Sequence, residues 1–157
     1  KDIKNMEIKH LIAHRGNISG PNPEKENTRK YLLKALDEGF ECEIDLWFID
    51  NGFYLGHDSP NEIIDEDFLL EYSDFLWIHC KNIEALEKIS GFKTLNYFWH
   101  ENDKYTLTSK NFIWTYPGEK TGEKSIIVSL DSSVPVGRYI GICSDNIEKI
   151  KHKINNQ

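Results

Sequence analysis

Apolar residues recur along the chain in two rhythms. The run His10-Leu11-Ile12-Ala13-His14 is short, apolar and stopped by Arg15-Gly16-Asn17, which predicts a strand. A polar loop with Gly20, Pro21 and Pro23 follows. Residues 28–38 then place Tyr31, Leu32, Leu33, Ala35 and Leu36 at helical spacing, with Gly39 where a C-terminal cap belongs. Residues 40–47 (Phe-Glu-Cys-Glu-Ile-Asp-Leu-Trp) alternate strictly and predict a second strand. Asn51-Gly52 is a strong hairpin signal, with 53–57 as the return arm. After Pro60 the pattern predicts a helix over 62–72, a strand over 75–80 and a helix from an Asn82 cap to Gly91. Strands follow over 94–99, 111–115, 125–130 and 139–143, and a final helix starts at an Asn146 cap. Leaving aside the hairpin's return arm, at most eight strands are counted, if 105–108 is one.

Strands alternating with helices favour a parallel α/β sheet. The connections after Trp99 and Thr115 are too short and polar for full crossover helices, so several helices are expected to be reduced or missing in the second half. A length of 157 residues fits one domain. We divide it into an N-terminal extension, 1–9, and a single domain, 10–157. A formal charge of −7 argues against a general nucleic-acid binder. No apolar run approaches the ~20 residues a membrane helix needs, and the first six residues lack the apolar core of a signal peptide. Cys42, Cys80 and Cys143 lie far apart inside apolar runs. That spacing excludes a zinc ribbon and fits a reducing, cytoplasmic setting.

Period 2 sends Glu41, Glu43 and Asp45 to one face of the second strand. Three such acids fit a solvated strand face as readily as a site. Their apolar neighbours instead suggest burial on both sides. Buried neighbouring carboxylates repel and call for a cation. Glu43 and Asp45 holding Mg²⁺ or Ca²⁺ answer that need. His14, His57, His79 and His100 each end an apolar run. The carboxyl ends of parallel strands are where such folds bind ligands. His14 and His57 are acid/base candidates. Arg15 and Lys81 offer cations to a phosphate. Trp99 and Trp114 either pack in the core or stack on a substrate, and His100 is a reserve phosphate or proton contact. His10 and His152 read as surface residues.

Ala13-His14-Arg15-Gly16, Glu26-Asn27-Thr28, Glu43-Ile44-Asp45 and Gly56-His57-Asp58 stand in the order and spacing of the glycerophosphodiester phosphodiesterase family. The chain resembles that family specifically over 11–59. Beyond Ser59 the resemblance thins to Lys81 and to Gly141-Ile142-Cys143-Ser144-Asp145. It implies a (β/α)₈ TIM barrel, here shortened, that hydrolyses phosphodiesters with one divalent cation. His14 and His57 would be the acid/base pair, Glu43 and Asp45 metal ligands, and Arg15 and Lys81 phosphate contacts.

The chain departs from the family's pattern in two respects. His79 stands where the family usually supplies a third metal carboxylate. As a ligand it would bias the site towards Mn²⁺ or Zn²⁺. Alternatively it is a substrate contact, with Glu26 or water completing the shell. The chain is also short of the ~250 residues typical of the fold, so substrate identity does not carry over. The expected activity is a phosphoric diester hydrolase acting on a small-molecule phosphodiester, with no nucleic acid or membrane partner and homo-oligomerisation left open. The competing readings are a phosphomonoesterase or a cyclising lyase in the same pocket, or a non-catalytic phosphate-ester-binding barrel.

Overall fold

A computed structural model describes residues 7–157; the first six residues of the expected extension lie outside the described residues. Among the described residues, ten strands and four short helices follow one another. They are β1 (His10–His14), α1 (Arg29–Asp37), β2 (Glu41–Ile49), β3 (Gly52–Leu55), β4 (Glu62–Ile64), α2 (Glu66–Glu71) and β5 (Leu76–Cys80). Then come α3 (Ile83–Ile89), β6 (Asn96–Phe98), β7 (Tyr105–Leu107), β8 (Ile113–Thr115), β9 (Ser125–Val128), β10 (Gly141–Ser144) and α4 (Ile147–Asn155). Parallel ladders join β6, β5, β2, β1, β10, β9 and β8 in that order. Strands β3 and β4 extend the far end of β2 as an antiparallel hairpin and its neighbour, and β7 lies antiparallel on β8.

The expected (β/α)₈ barrel is therefore corrected to a ten-stranded mixed sheet. Closing a sheet into a barrel abolishes its edges, but among the described residues β6 pairs only with β5 and β7 only with β8. Helices do not alternate with strands either, since none separates β6, β7, β8, β9 and β10. In the two links that flank β7 the reason is chain length between strands. A whole crossover needs at least ~10–12 residues, and the links 99–104 and 108–112 fall short of that. The span 105–107 accordingly folds back on β8 as an antiparallel partner.

Local chemistry sets the element bounds. Thr28 caps α1 by accepting from the Tyr31 amide, 3.3 Å away. The Asn82 side chain caps α3 through the Ala85 amide and also bonds the Phe48 amide and carbonyl, tying that helix to β2. Residues 62–64 were expected to begin a helix; they pair with β3 instead, and Asp65 caps a shorter α2. The hairpin turn is Asp50-Asn51, both at positive φ, with Gly52 opening the return strand. Two left-handed central residues give the turn whose twist matches the strands. Asn146 precedes α4 without capping it through its side chain.

The sheet buries both faces. On one, Ala13, Cys42, Ile44, Leu46, Ile78 and Ile142 pack with the buried residues of α1, α3 and α4. On the other, Ile12, Trp77, Phe98, Trp114, Ile126 and Cys143 form a smaller aromatic-rich core. Register places His14 beside Glu43 and Glu43 beside Trp77, then Asp45 beside His79 and His79 beside Phe98. All three cysteines are buried and free. No helix among the described residues is long and apolar enough to cross a membrane.

Candidate metal centre and active site

Glu43 and Asp45 lie two residues apart on β2, so both side chains leave the same face, the one lined by the aromatic core. Both are almost fully buried. His79 reaches them from the neighbouring β5. Its Nδ1 lies 3.1 Å from Asp45 Oδ1 and 3.8 Å from Glu43 Oε2. The three side chains offer ligand atoms within 4.8 Å of one another, a grouping able to hold a metal ion.

Each of the three has its other polar atom tied elsewhere. Glu43 Oε1 accepts from the Arg15 amide at 3.2 Å. Asp45 Oδ2 accepts from Asn27 Nδ2 at 2.9 Å, while Asn27 Oδ1 accepts from the Asp45 amide at 3.0 Å. His79 Nε2–H donates to the His100 carbonyl at 2.7 Å. A carbonyl only accepts, so Nε2 carries a proton, and Nδ1 is the ring atom left for a metal ion to take when it is unprotonated. Among the described residues, Asp45 Oδ1 is buried with no hydrogen-bond partner, although His79 Nδ1 lies 3.1 Å away. Phe98 stacks on that ring with centroids 5.4 Å apart, fixing its plane.

Electrostatics follow from this crowding. Burial and the adjacent Asp45 charge push Glu43 up to about 7, against the pull of His14, His79 and Arg15. Burial also works against Asp45, but His79, the Asn27 amide and Arg15 outweigh it and hold that carboxyl well below the usual range. For His79, burial disfavours the charge, and Asp45 and Glu43 more than offset it, so the ring sits above its ordinary value.

His14 ends β1 beside this cluster. Its Nδ1 lies 2.7 Å from Asp145 Oδ1, and its Nε2 is 3.9 Å from Glu43 Oε1. A carboxylate only accepts, so Nδ1 holds the proton and Nε2 is left as a base. Burial lowers His14, and Asp145 and Glu43 more than restore it. Asp145 is held down in turn: burial opposes, and His14 and the Asn17 amide prevail. Asn17 Nδ2 bridges Asp145 and Glu26, and Glu26 also takes Arg15 Nη1 at 3.3 Å. Glu26 is thereby committed to this outer network and not to the metal cluster. Arg15 adopts a left-handed backbone, φ 56°, with its amide on the Glu43 carbonyl and its Nε 3.5 Å from Asp45 Oδ2.

His57 comes in from the hairpin. The Gly56 amide donates to the Asp45 carbonyl, and Trp47 Nε1 donates to the Gly56 carbonyl. Only glycine fits there, since a Cβ would stand 1.9 Å from the Ser59 carbonyl oxygen. His57 is exposed, with Nδ1 2.7 Å from Asp58 Oδ1.

One cavity of about 260 Å³ gathers His14, Arg15, Glu43, Asp45, His57, His79, His100 and Trp114. Two residues singled out in the sequence are not in its lining. Trp99 turns partly to solvent, because β6 ends before it. Lys81 sends its amide to the Leu46 carbonyl and forms no ion pair among the described residues, although its charge helps lower His100. In His100 burial is the largest cause, followed by His79 and then Lys81. His10 is not a plain surface residue: its Nδ1 lies 3.0 Å from Glu41, which also accepts from Trp77 Nε1. Glu41 thus serves the opposite end of the sheet from Glu43 and Asp45. Asn17, Asn27 and Asp145 went unassigned in the sequence. Asp145 directly follows β10, the same strand-end position that drew attention to the histidines.

Comparison of the chain with protein-family models, with curated proteins and with solved structures returns no match.

Proposed function

We propose that the protein is a metal-dependent phosphodiesterase, as the resemblance over 11–59 implies. The observation that carries the reading is the arrangement of Glu43 Oε2, Asp45 Oδ1 and His79 Nδ1. The three lie within 4.8 Å of one another, while the other polar atom of each side chain is tied by a hydrogen bond. Such outer bonds orient ligands around a metal. An imidazole beside two carboxylates suits a borderline ion, Mn²⁺ or Zn²⁺, better than Mg²⁺ or Ca²⁺. When bound, a divalent ion supplies charge stabilisation at a phosphate oxygen and acidifies water.

The chain's own groups do the remaining work. His14 Nε2, beside Glu43, takes the proton of the attacking water, and the resulting imidazolium is stabilised by Asp145. His57, on the exposed side of the cavity, protonates the departing alkoxide. Arg15, anchored by Glu26, places its guanidinium where charge builds on the phosphoryl oxygens.

Hydrolysis of bis(p-nitrophenyl) phosphate with each of Mg²⁺, Ca²⁺, Mn²⁺ and Zn²⁺ tests this reading. We expect turnover that stops with chelator and falls about 10²–10⁴-fold in His14→Ala. Phosphorus NMR should show a monoester as product. Free phosphate or a cyclic ester from a suitable substrate would replace the reaction type, and equal activity of His14→Ala would remove the mechanism.

A further inference from the structure

The cavity has two kinds of lining. Besides the acids and imidazoles, Trp114 and the loop after β8 contribute an indole, Tyr116 and Pro117, and β9 with its following loop contributes Val128 and Leu130. Among the described residues, no serine, threonine, asparagine or glutamine lines the cavity. The side-chain polar atoms on this wall are the Trp114 indole N–H and the Tyr116 hydroxyl. Trp114 is held by Phe98, with ring centroids 4.7 Å apart, so the wall has a fixed aromatic base. Tyr116 and Leu130 are large apolar side chains left 49% and 42% exposed where they border the cavity. Apolar surface left open against a polar catalytic cluster is the usual form of a substrate subsite.

We infer that the organic arm of the substrate is apolar, an alkyl or aryl group lying on Trp114, Tyr116, Pro117, Val128 and Leu130, and that the site discriminates against polyol arms. This rests on the phosphodiesterase reading. A hydroxylated arm would have to leave water for a wall that offers few partners, with Glu101 the one carboxylate of the lining outside the Glu43/Asp45/His79 cluster. A pocket that is merely apolar rejects an added hydroxyl by at most ~10²-fold, so the preference is a graded one. An alkyl or aryl arm loses nothing on transfer and gains burial.

The test uses phosphodiesters that share a p-nitrophenyl leaving group and differ in the second arm: n-propyl, phenyl or 2,3-dihydroxypropyl, each with Mn²⁺. We expect kcat/KM for the propyl and phenyl compounds to exceed that of the dihydroxypropyl compound by about tenfold or more. Leu130→Ser and Tyr116→Ser, both partly exposed, should narrow that ratio severalfold. A dihydroxypropyl compound that is equal or better, or a ratio unchanged in both variants, overturns the inference. If none of the three is hydrolysed, the phosphodiesterase reading fails, and calorimetry decides the subsite. The probes are then n-propyl and 2,3-dihydroxypropyl methylphosphonate, which lack the competing nitrophenyl ring. Tighter binding of the propyl ester supports the apolar subsite; equal binding, the reverse order or no binding refutes it.

Discussion

Asp145 is the residue whose part in the site is most sharply separable from metal binding. It lies 2.7 Å from His14 Nδ1 and is absent from the ligand cluster. Its carboxylate fixes the tautomer that leaves His14 Nε2 as a base, and its charge helps hold the ring above its ordinary value. Asp145→Asn should therefore lower kcat on the order of 10²-fold while leaving KM and Mn²⁺ affinity nearly unchanged. The acid limb of the kcat profile should move to lower pH, because a neutral partner no longer favours the imidazolium. Steady-state kinetics between pH 5 and 9 check this. An unchanged kcat, or a loss confined to metal affinity, would give Asp145 a purely structural role.

Strand β2 shows how much of the site the sequence exposes. Strict alternation over 40–47 places Glu43 and Asp45 on one face, and burial on both sides of the strand follows from the apolar flanks. The strand-end histidines arrive at one cavity because parallel pairing of β1, β2 and β5 aligns their carboxyl ends. The second half was harder to read. Three-residue strands such as β6, β7 and β8 carry too few positions for a period. Whether a short link turns back or crosses over depends on partners distant in sequence. The barrel expected from the resemblance failed at that point. Asn17, in the stop after β1, and Asn27, in the Glu26-Asn27-Thr28 motif, carry no role in the sequence because loop asparagines have no period; Asn27 is marked by its positive φ, which only the structure reveals.

Across the whole molecule, the crowded acids and imidazoles couple folding to pH. Glu43 rises from 4.5 to about 7 on folding, so the native state takes up a proton and loses stability as pH climbs through that interval. His14 and His79 are raised above 6.5; their contribution is full below that value and is lost as pH rises through their folded values. Asp45 and Asp145 are lowered, and their contribution fades only as pH falls below 3.8. Without a cation, the melting temperature should fall between pH 5 and 8. The rise produced by saturating Mn²⁺ should grow over the same range, since the ion replaces protons. Each kcal/mol corresponds to roughly 2–4 °C for a chain of this size, within reach of thermal melts with and without Mn²⁺. A metal-free melting temperature that climbs with pH, or a Mn²⁺ effect independent of pH, would contradict this coupling.

The proposal that β2 and β5 hold a single cation between them is tested most directly by anomalous diffraction from crystals grown with Mn²⁺. One peak should lie within bonding distance of Glu43, Asp45 and His79 Nδ1, and it should vanish in Glu43→Gln crystals grown the same way. No peak at this cluster, or a peak that persists undiminished in the variant, would contradict the metal centre on which the proposed chemistry stands.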